Sequence, residues 1–372
     1  MGPPASSPVK RITLSVLLAA TLGLGALEIA NYLDQPLTDQ DETIGAAPAE
    51  PARTPASAPA AAPAAAGAGS TTVARAPDLE QAPPAEEGPT LPFLERESFG
   101  HRAGLHKVKA DVNLSASAAL VIDQETGQVL LHKNGESVLP IASLTKLMTA
   151  LVISEAKLPM DQVLTITDDD VDEERHSRSR LRVGTSLTRG EALQLALMSS
   201  ENRAAHALGR TWPAGLQAFV QAMNRKAAAL GMKSTTYVDP TGLATRNQST
   251  VHDLALLAAE AAKHQLLAAY STTPQHLLAM STGRSLVYNN SNRLVKSPNW
   301  EILLQKTGYI VEAGWCMLLD TRIAGHKLFV VLLDAGGAAS RLGDAERIRH
   351  WAAAQLGVPV RDSTPARRRT RK

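Results

Sequence analysis

Of the 22 prolines in this 372-residue chain, 14 lie before residue 93 and eight after it. That asymmetry restricts the fold more than any other feature, because proline fixes φ and removes a backbone donor. From Gly45 to Pro92 the sequence is Ala/Pro-rich, as in Pro55-Ala56-Ser57-Ala58-Pro59-Ala60-Ala61-Ala62-Pro63. Such a segment buries too little apolar surface to offset its chain entropy, so it is expected to be an extended tether. Ahead of it, Lys10-Arg11 precede an apolar stretch from Ile12 to Leu27. Two cations before a run shorter than the ~20 residues of a membrane helix read as a secretory signal or N-terminal anchor, and so as export. Glu28 and Ile29 interrupt any small-x-small cleavage site, which leaves cleavage or retention open. The expected organisation is a signal or anchor at 1–30, a disordered linker at 31–109, a folded domain at 110–358 and a basic tail at 359–372.

Charge is nearly balanced, at 38 Lys+Arg against 36 Asp+Glu. The last six residues, Arg367-Arg368-Arg369-Thr370-Arg371-Lys372, hold five of the cations, and without them the balance is 33 against 36. The folded part therefore has no basic excess, and nucleic acid is not an expected partner. One cysteine, Cys316, excludes an intrachain disulfide and any Cys-based zinc or iron–sulfur site. It lies in the apolar run Gly314-Trp315-Cys316-Met317-Leu318-Leu319 and reads as a small buried hydrophobe rather than a reactive thiol. The ten histidines show no H-E-x-x-H or other metal spacing. His132, His206 and His252 read individually as surface or cap residues, and no metal or cofactor is expected.

Past the tether, hydrophobic periods become readable. Ala118–Asp123 and Val129–His132 flank Glu125-Thr126-Gly127 as a β-hairpin. Pro140 opens a helix with Leu144, Leu147, Met148, Leu151 and Val152 at helical spacing. Further helical patterns cover Glu191–Leu197, Leu216–Leu230 and His252–Ala262. Ile302–Leu304, Cys316–Thr321 and Leu328–Leu333 read as strands, the last two joined at Ala324-Gly325, and an amphipathic helix closes the domain over Asp344–Leu356. Strands at both ends with helices between them imply an α/β or α+β fold whose first and last strands pair.

Three short motifs fit one chemistry. Ser143-Leu144-Thr145-Lys146 puts Ser and Lys at i and i+3, about 60° apart on a helix and along the margin of its leucine face. A neutral amine there can take the hydroxyl proton and activate serine for acyl transfer, and a first-turn position sets the developing oxyanion near free N–H groups. Ser199-Ser200-Glu201-Asn202 follows a helical run, where Ser-x-Asn alone is an ordinary capping sequence. Lys306-Thr307-Gly308 ends a strand, where Gly lets a substrate backbone approach and Lys and Thr offer contacts to a carboxylate.

In this order, S-x-x-K, S-x-N and K-T-G form the signature of the penicillin-recognising serine enzymes. Residues 140–150, Met198–Ala205, Asp239-Pro240-Thr241-Gly242-Leu243 and Lys306–Tyr309 resemble the low-molecular-mass penicillin-binding proteins, and most the D-alanyl-D-alanine endopeptidases within the D-Ala-D-Ala carboxypeptidase family. The resemblance covers about residues 110–358. It implies a β-lactamase/DD-peptidase-like fold, with an antiparallel sheet from the N- and C-terminal strands packed against a helical subdomain. It also implies a periplasmic enzyme, soluble or tethered by its N-terminal segment, with peptidoglycan stem peptides as substrate and β-lactams as covalent inhibitors. Ser143 would be the nucleophile and Lys146 its base, its pKa depressed by a nearby Lys306 cation. Ser200 would relay a proton to the leaving amine. Asn202, Lys306 and Thr307 would bind substrate, Gly308 would keep the strand edge open, and the N–H groups of Ser143 and Tyr309 would form the oxyanion hole. Arg341 is a further candidate contact for a carboxylate.

Neighbouring functions are less consistent with the chain. A class A β-lactamase uses a glutamate after the second motif to activate the deacylating water, and no glutamate occurs between Asn202 and Glu260. A penicillin sensor would need membrane helices and an effector domain, and a non-catalytic wall-binding module would be expected to have decayed motifs. The family's carboxypeptidases often carry a further β-rich domain and an amphipathic C-terminal anchor, whereas here a short basic segment follows the last helix. The sequence therefore favours a D-Ala-D-Ala endopeptidase, with the carboxypeptidase as the alternative.

Overall fold

The computed structural model describes residues 97–280 and 283–358. The expected signal segment, most of the linker and the basic tail lie outside the described residues.

The elements run in this order: α1 (Phe99–Arg102), β1 (Ala118–Asp123), β2 (Val129–Lys133), β3 (Leu139–Pro140), α2 (Thr145–Glu155), β4 (Val163–Thr165), β5 (Ser186–Thr188), α3 (Arg189–Met198), α4 (Asn202–Arg210), α5 (Gly215–Ala229), β6 (Gln248–Ser249), α6 (Val251–Ala261), α7 (Gln265–Thr272), β7 (Gln275–Ala279), β8 (Ser285–Asn289), β9 (Glu301–Ile310), β10 (Gly314–Ile323), β11 (His326–Ala335) and α8 (Ala338–Gln355). The main sheet among the described residues is antiparallel, in the order β2-β1-β11-β10-β9. The first and last strands pair as expected, from Ala118 opposite Leu333 to Asp123 opposite Leu328.

Both faces of this sheet are covered, which explains the near-continuous apolar runs of its central strands. Leu120, Leu318, Val331 and Leu333 face the helices α2, α3 and α6, in one cluster with Leu147, Leu195 and Leu254. Their alternates Val121, Met317, Leu319, Val330 and Leu332 face α8 through Ala345, Ile348 and Ala352. A short ladder, Leu139 opposite Ser249 and Pro140 opposite Gln248, joins the chain entering α2 to the chain entering α6.

Four differences from the sequence reading have physical causes. The expected linker does not reach residue 109: Phe99 and Leu105 pack on the core, and Asn134 Nδ2 donates to Leu105 O at 2.9 Å. The helix expected from Pro140 begins as a 3-10 turn at Ala142–Leu144 and becomes α-helical at Thr145. It is also not amphipathic, since every residue from Thr145 to Ile153 is buried. Its polar side chains have partners: Thr145 Oγ1 donates to Ala142 O at 2.8 Å and Thr149 Oγ1 to Pro240 O at 2.7 Å. Finally, the helices α4 and α7 and the hairpin β7–β8 were not anticipated, and α8 starts at Ala338 rather than Asp344.

Candidate active site

Ser143 lies in the 3-10 turn between β3 and α2. The backbone is strained just before it, with Ala142 at φ +47°. Two glycines press on this turn. A Cβ on Gly308 would lie 3.0 Å from the Ser143 amide nitrogen, and one on Gly242 would overlap the Ala142 carbonyl. Gly308 therefore lets β9 touch the backbone at Ser143, a closer role than the open strand edge expected of it.

One turn on, Lys146 is wholly buried. Its Nζ contacts Ser143 Oγ at 2.8 Å, Asn202 Oδ1 at 2.7 Å and Thr241 O at 2.6 Å. The amide and peptide oxygens only accept, so they fix two N–H bonds and aim the third position of the amine at Ser143. That position donates when the lysine is charged and accepts from the serine hydroxyl when it is neutral. Burial pulls the Lys146 pKa down to about 7, against the attraction of Asp239 and Glu201. The depression anticipated from the sequence is present, but its cause is desolvation rather than Lys306.

The second motif spans the junction of α3 and α4. Ser200 has φ +62°, Glu201 caps α4 by accepting from the Arg203 amide at 3.3 Å, and Asn202 is the first residue of α4. Asn202 Nδ2 donates to Ser177 Oγ at 2.9 Å, which leaves its oxygen for Lys146. Lys306 on β9 is also fully buried and donates to Ser200 Oγ at 3.0 Å and Thr307 O at 2.8 Å. Its pKa is held well below the usual lysine range, first by burial and then by the charges of Lys146 and Arg341. Thr307 Oγ1 and Ser291 Oγ lie 2.8 Å apart.

A cleft of about 430 Å³ opens over these groups, lined by Ser143, Ser200, Asn202, Thr307, Gly308, Tyr309 and Arg341. The two lysines are not among its lining residues. Tyr309 stacks on Trp315 with ring centroids 4.2 Å apart, and the Arg341 guanidinium lies 5.2 Å from the Trp315 ring. Arg341 Nη1 donates to Cys316 O at 3.1 Å. Cys316 is buried, its thiol pKa pushed up to about 12 by desolvation. His206 is elsewhere, with Nδ1 2.7 Å from Asp170 Oδ1. Among the described residues two His/Glu groups have metal-ligand spacing, His132–Glu136–His252 and Glu155–Glu260–His264, and neither lines the cleft.

Sequence reasoning gave no role to the residues that hold Lys146 in place. Asp239 Oδ1 accepts from the amides of Thr241 at 2.6 Å and Gly242 at 2.7 Å, forming the turn that aims the Thr241 carbonyl. Asn247, fully buried, donates to Thr145 Oγ1 at 3.0 Å and Asp239 O at 2.9 Å, while its carbonyl accepts from the Ile141 amide at 3.0 Å. The run Asp239–Leu243 carried a resemblance, but a backbone carbonyl has no sequence signature of its own.

Residues 105–337 match the family model of the D-alanyl-D-alanine carboxypeptidases, peptidase family S11. The chain belongs to this family. As a member it is an enzyme, a serine-type D-Ala-D-Ala peptidase of the penicillin-binding protein group. A D-alanyl-D-alanine endopeptidase of Pseudomonas aeruginosa is 47% identical over 239 residues, 64% of this chain and 77% of the relative. One from Escherichia coli is 38% identical over 66% of this chain and 80% of its own length. Among solved structures, the Streptomyces K15 DD-transpeptidase aligns with a TM-score of 0.60 and 25% identity, covering 65% of this peptidase and 98% of that chain. Penicillin-binding protein D2 of Listeria monocytogenes in its ampicillin-bound form aligns with a TM-score of 0.55 and 30% identity, covering 64% and 98%.

Proposed function

We propose that this peptidase is a D-alanyl-D-alanine endopeptidase that cuts cross-links between peptidoglycan stem peptides through an acyl-enzyme on Ser143. The observation that carries the reading is the contact of a buried Lys146 amine, with a pKa of about 7, to Ser143 Oγ at 2.8 Å. The neutral amine takes the hydroxyl proton as Ser143 attacks the D-Ala carbonyl. The N–H groups of Ser143 and Tyr309 would hold the oxyanion, a reading supported by the close approach of Gly308, the residue before Tyr309, to the Ser143 amide. Ser200, bonded to Lys306, relays the proton that Lys146 has taken on to the leaving amine, which departs as the Ser143 ester forms. Water then attacks the ester and gives its proton to Lys146, which returns it to Ser143 Oγ as the acid leaves. Asn202 on α4 and Thr307 and Gly308 on β9 would hold the substrate in the cleft, with Lys306 acting from behind its lining and Arg341 and Thr307 receiving a carboxylate.

The endopeptidase reading over the carboxypeptidase rests on the names of the relatives at 47% and 38% identity. β-Lactams would acylate the same serine, a reading supported by the ampicillin-bound form of the Listeria protein. We further propose an exported, periplasmic enzyme, with residues 1–30 as signal or anchor, a linker ending before residue 97, and a basic tail after 358. No helix among the described residues is long and apolar enough to cross a membrane.

The test is mass-spectrometric product analysis of purified cross-linked muropeptide dimers incubated with the full chain, beside a Ser143→Ala control. Conversion of dimers to monomers by the wild type alone is the expected result. Intact dimers with pentapeptide stems shortened by one alanine would make the enzyme a carboxypeptidase. No change in either substrate would overturn the catalytic reading of the cleft.

A further inference from the structure

His132 and His252 are 120 positions apart and carry no metal spacing in the sequence, yet the fold sets their rings side by side. The centroids are 5.2 Å apart with the planes tilted by 36°. Both rings turn the same nitrogen toward one point. A Cβ built on Gly135 would overlap His132 Nε2 and lie 2.7 Å from His252 Nε2. The missing side chain of Gly135 is thus what makes room for two converging imidazoles. Glu136, the next residue, brings Oε1 to 3.6 Å from His252 Nε2, and one ligand atom from each of the three residues lies within 4.8 Å of the others. The Glu136 side chain is 88% exposed, so it is free to close on a shared ion.

The other His/Glu group provides an internal comparison. Between Glu155, Glu260 and His264 an amine already occupies the centre, since Lys226 Nζ lies 2.6 Å from Glu155 and 3.5 Å from Glu260. Lys263 adds a second cation at 2.7 Å from Glu260. The pair of imidazoles and one carboxylate at Gly135 instead forms a borderline-soft donor set, which suits zinc, nickel or copper and not magnesium or calcium.

We propose that His132, His252 and Glu136 form a surface site for one divalent d-block cation of the zinc class, separate from the catalytic cleft. Two imidazole nitrogens and a carboxylate supply three ligands of a tetrahedral ion, and water takes the fourth position. The site's place in the fold gives it a consequence. His132 is the last but one residue of β2 and Glu136 lies in the following loop, before β3, while His252 is the second residue of α6, shortly after β6. β3 and β6 pair with each other, and the Ile141 amide continues that ladder to Asn247 O at 3.0 Å, two residues before Ser143. A bound ion ties together the two segments that feed this ladder, so it stabilises the folded state by binding it in preference to the unfolded chain.

The experiment is a zinc titration of the untagged, chelator-stripped full chain against a chromophoric competitor, repeated with cobalt to read ligand geometry from visible absorption. One equivalent should bind more tightly than about 100 µM, cobalt should give tetrahedral bands, and zinc should raise the melting temperature. His132→Ala and His252→Ala should each weaken binding at least about tenfold, and Glu136→Gln by less. All three should still be labelled by a fluorescent penicillin at the wild-type rate, which establishes that they fold. Binding weaker than about 100 µM, or equally tight in His132→Ala and His252→Ala, would overturn the site. So would loss of the bound ion on Glu260→Gln, which would place it at the other cluster.

Discussion

Lys146 and Lys306 are both fully buried, yet Lys146 meets acceptors from three separate segments, whereas Lys306 donates to its neighbour Thr307 and to Ser200. The first arrangement holds an amine by two obligate acceptors and leaves its third position on an exchangeable hydroxyl. The second ties an amine to its own strand and points it at one hydroxyl across the cleft. Two ammonium groups in one dry site repel each other, and burial already disfavours both. The same residue type therefore serves two purposes in the proposed mechanism. Lys146 exchanges a proton with Ser143, and Lys306 orients Ser200 through the 3.0 Å contact of its amine with the hydroxyl.

The sharpest way to break that contrast is to fix the charge at each position. Lys146→Arg cannot become neutral, and acylation by a fluorescent penicillin should fall by about 10³-fold or more, with near-ultraviolet circular dichroism to establish the fold. Lys306→Arg keeps a cation and should lose about 10–100-fold in the same assay. A larger loss in Lys306→Arg would exchange the two assignments.

pH provides a second, gentler probe. Lys146 acts as a base when neutral, and its pKa is lowered to about 7. The acylation rate should therefore be high above that value and fall as pH drops through it, measured as a second-order rate constant against pH. A rate that stayed flat down to pH about 5 would mean that Lys146 is not the base. The Gly308→Ala variant tests position rather than charge. Its Cβ would meet the Ser143 amide nitrogen at 3.0 Å and Ile141 O at 3.1 Å. A shift of a few tenths of an ångström between β9 and the Ser143 turn should slow acylation about tenfold, with little change in melting temperature. The smallest effect belongs to Cys316, buried behind the cleft with its thiol pKa pushed up to about 12. Cys316→Ala should acylate within about twofold of wild type, with a slightly lower melting temperature from the lost buried sulfur.

Much of this frame was legible in the sequence because it depends on side chains with periods. The pairing of β1 with β11 followed from apolar strands at both ends of the domain, and the three motifs marked Ser143, Ser200 and Asn202, which line one cleft, and Lys146 and Lys306, which are buried beneath it. The rest depends on groups without a period. A helix that looked amphipathic is buried on every side, because Thr145, Lys146 and Thr149 find partners in the Asn247 side chain and the carbonyls of residues 240 and 241. That polar stripe needs a loop about a hundred residues away, which no window over α2 contains. α4 was missed for a different reason: Ala204, Ala205, Ala207 and Leu208 form a buried face opposite Arg203 and Arg210, but the helix spans only nine residues and begins inside a sequence that also reads as a cap. The Asp239 turn shows a third limit, since what it contributes to the cleft is a peptide oxygen.

The sheet order also sets a timetable for folding. The central strand β11 is the last to be synthesised, and its partner β1 is among the first. Until β11 emerges, β1–β2 and β9–β10 are two separate ribbons with nothing between them, and the helices lack the sheet face they cover. Native structure of this kind cannot accumulate steadily from the N-terminus, because it depends on closing a loop of about two hundred residues. A nascent chain stopped at residue 325 would hold all the motif residues and still have no cleft.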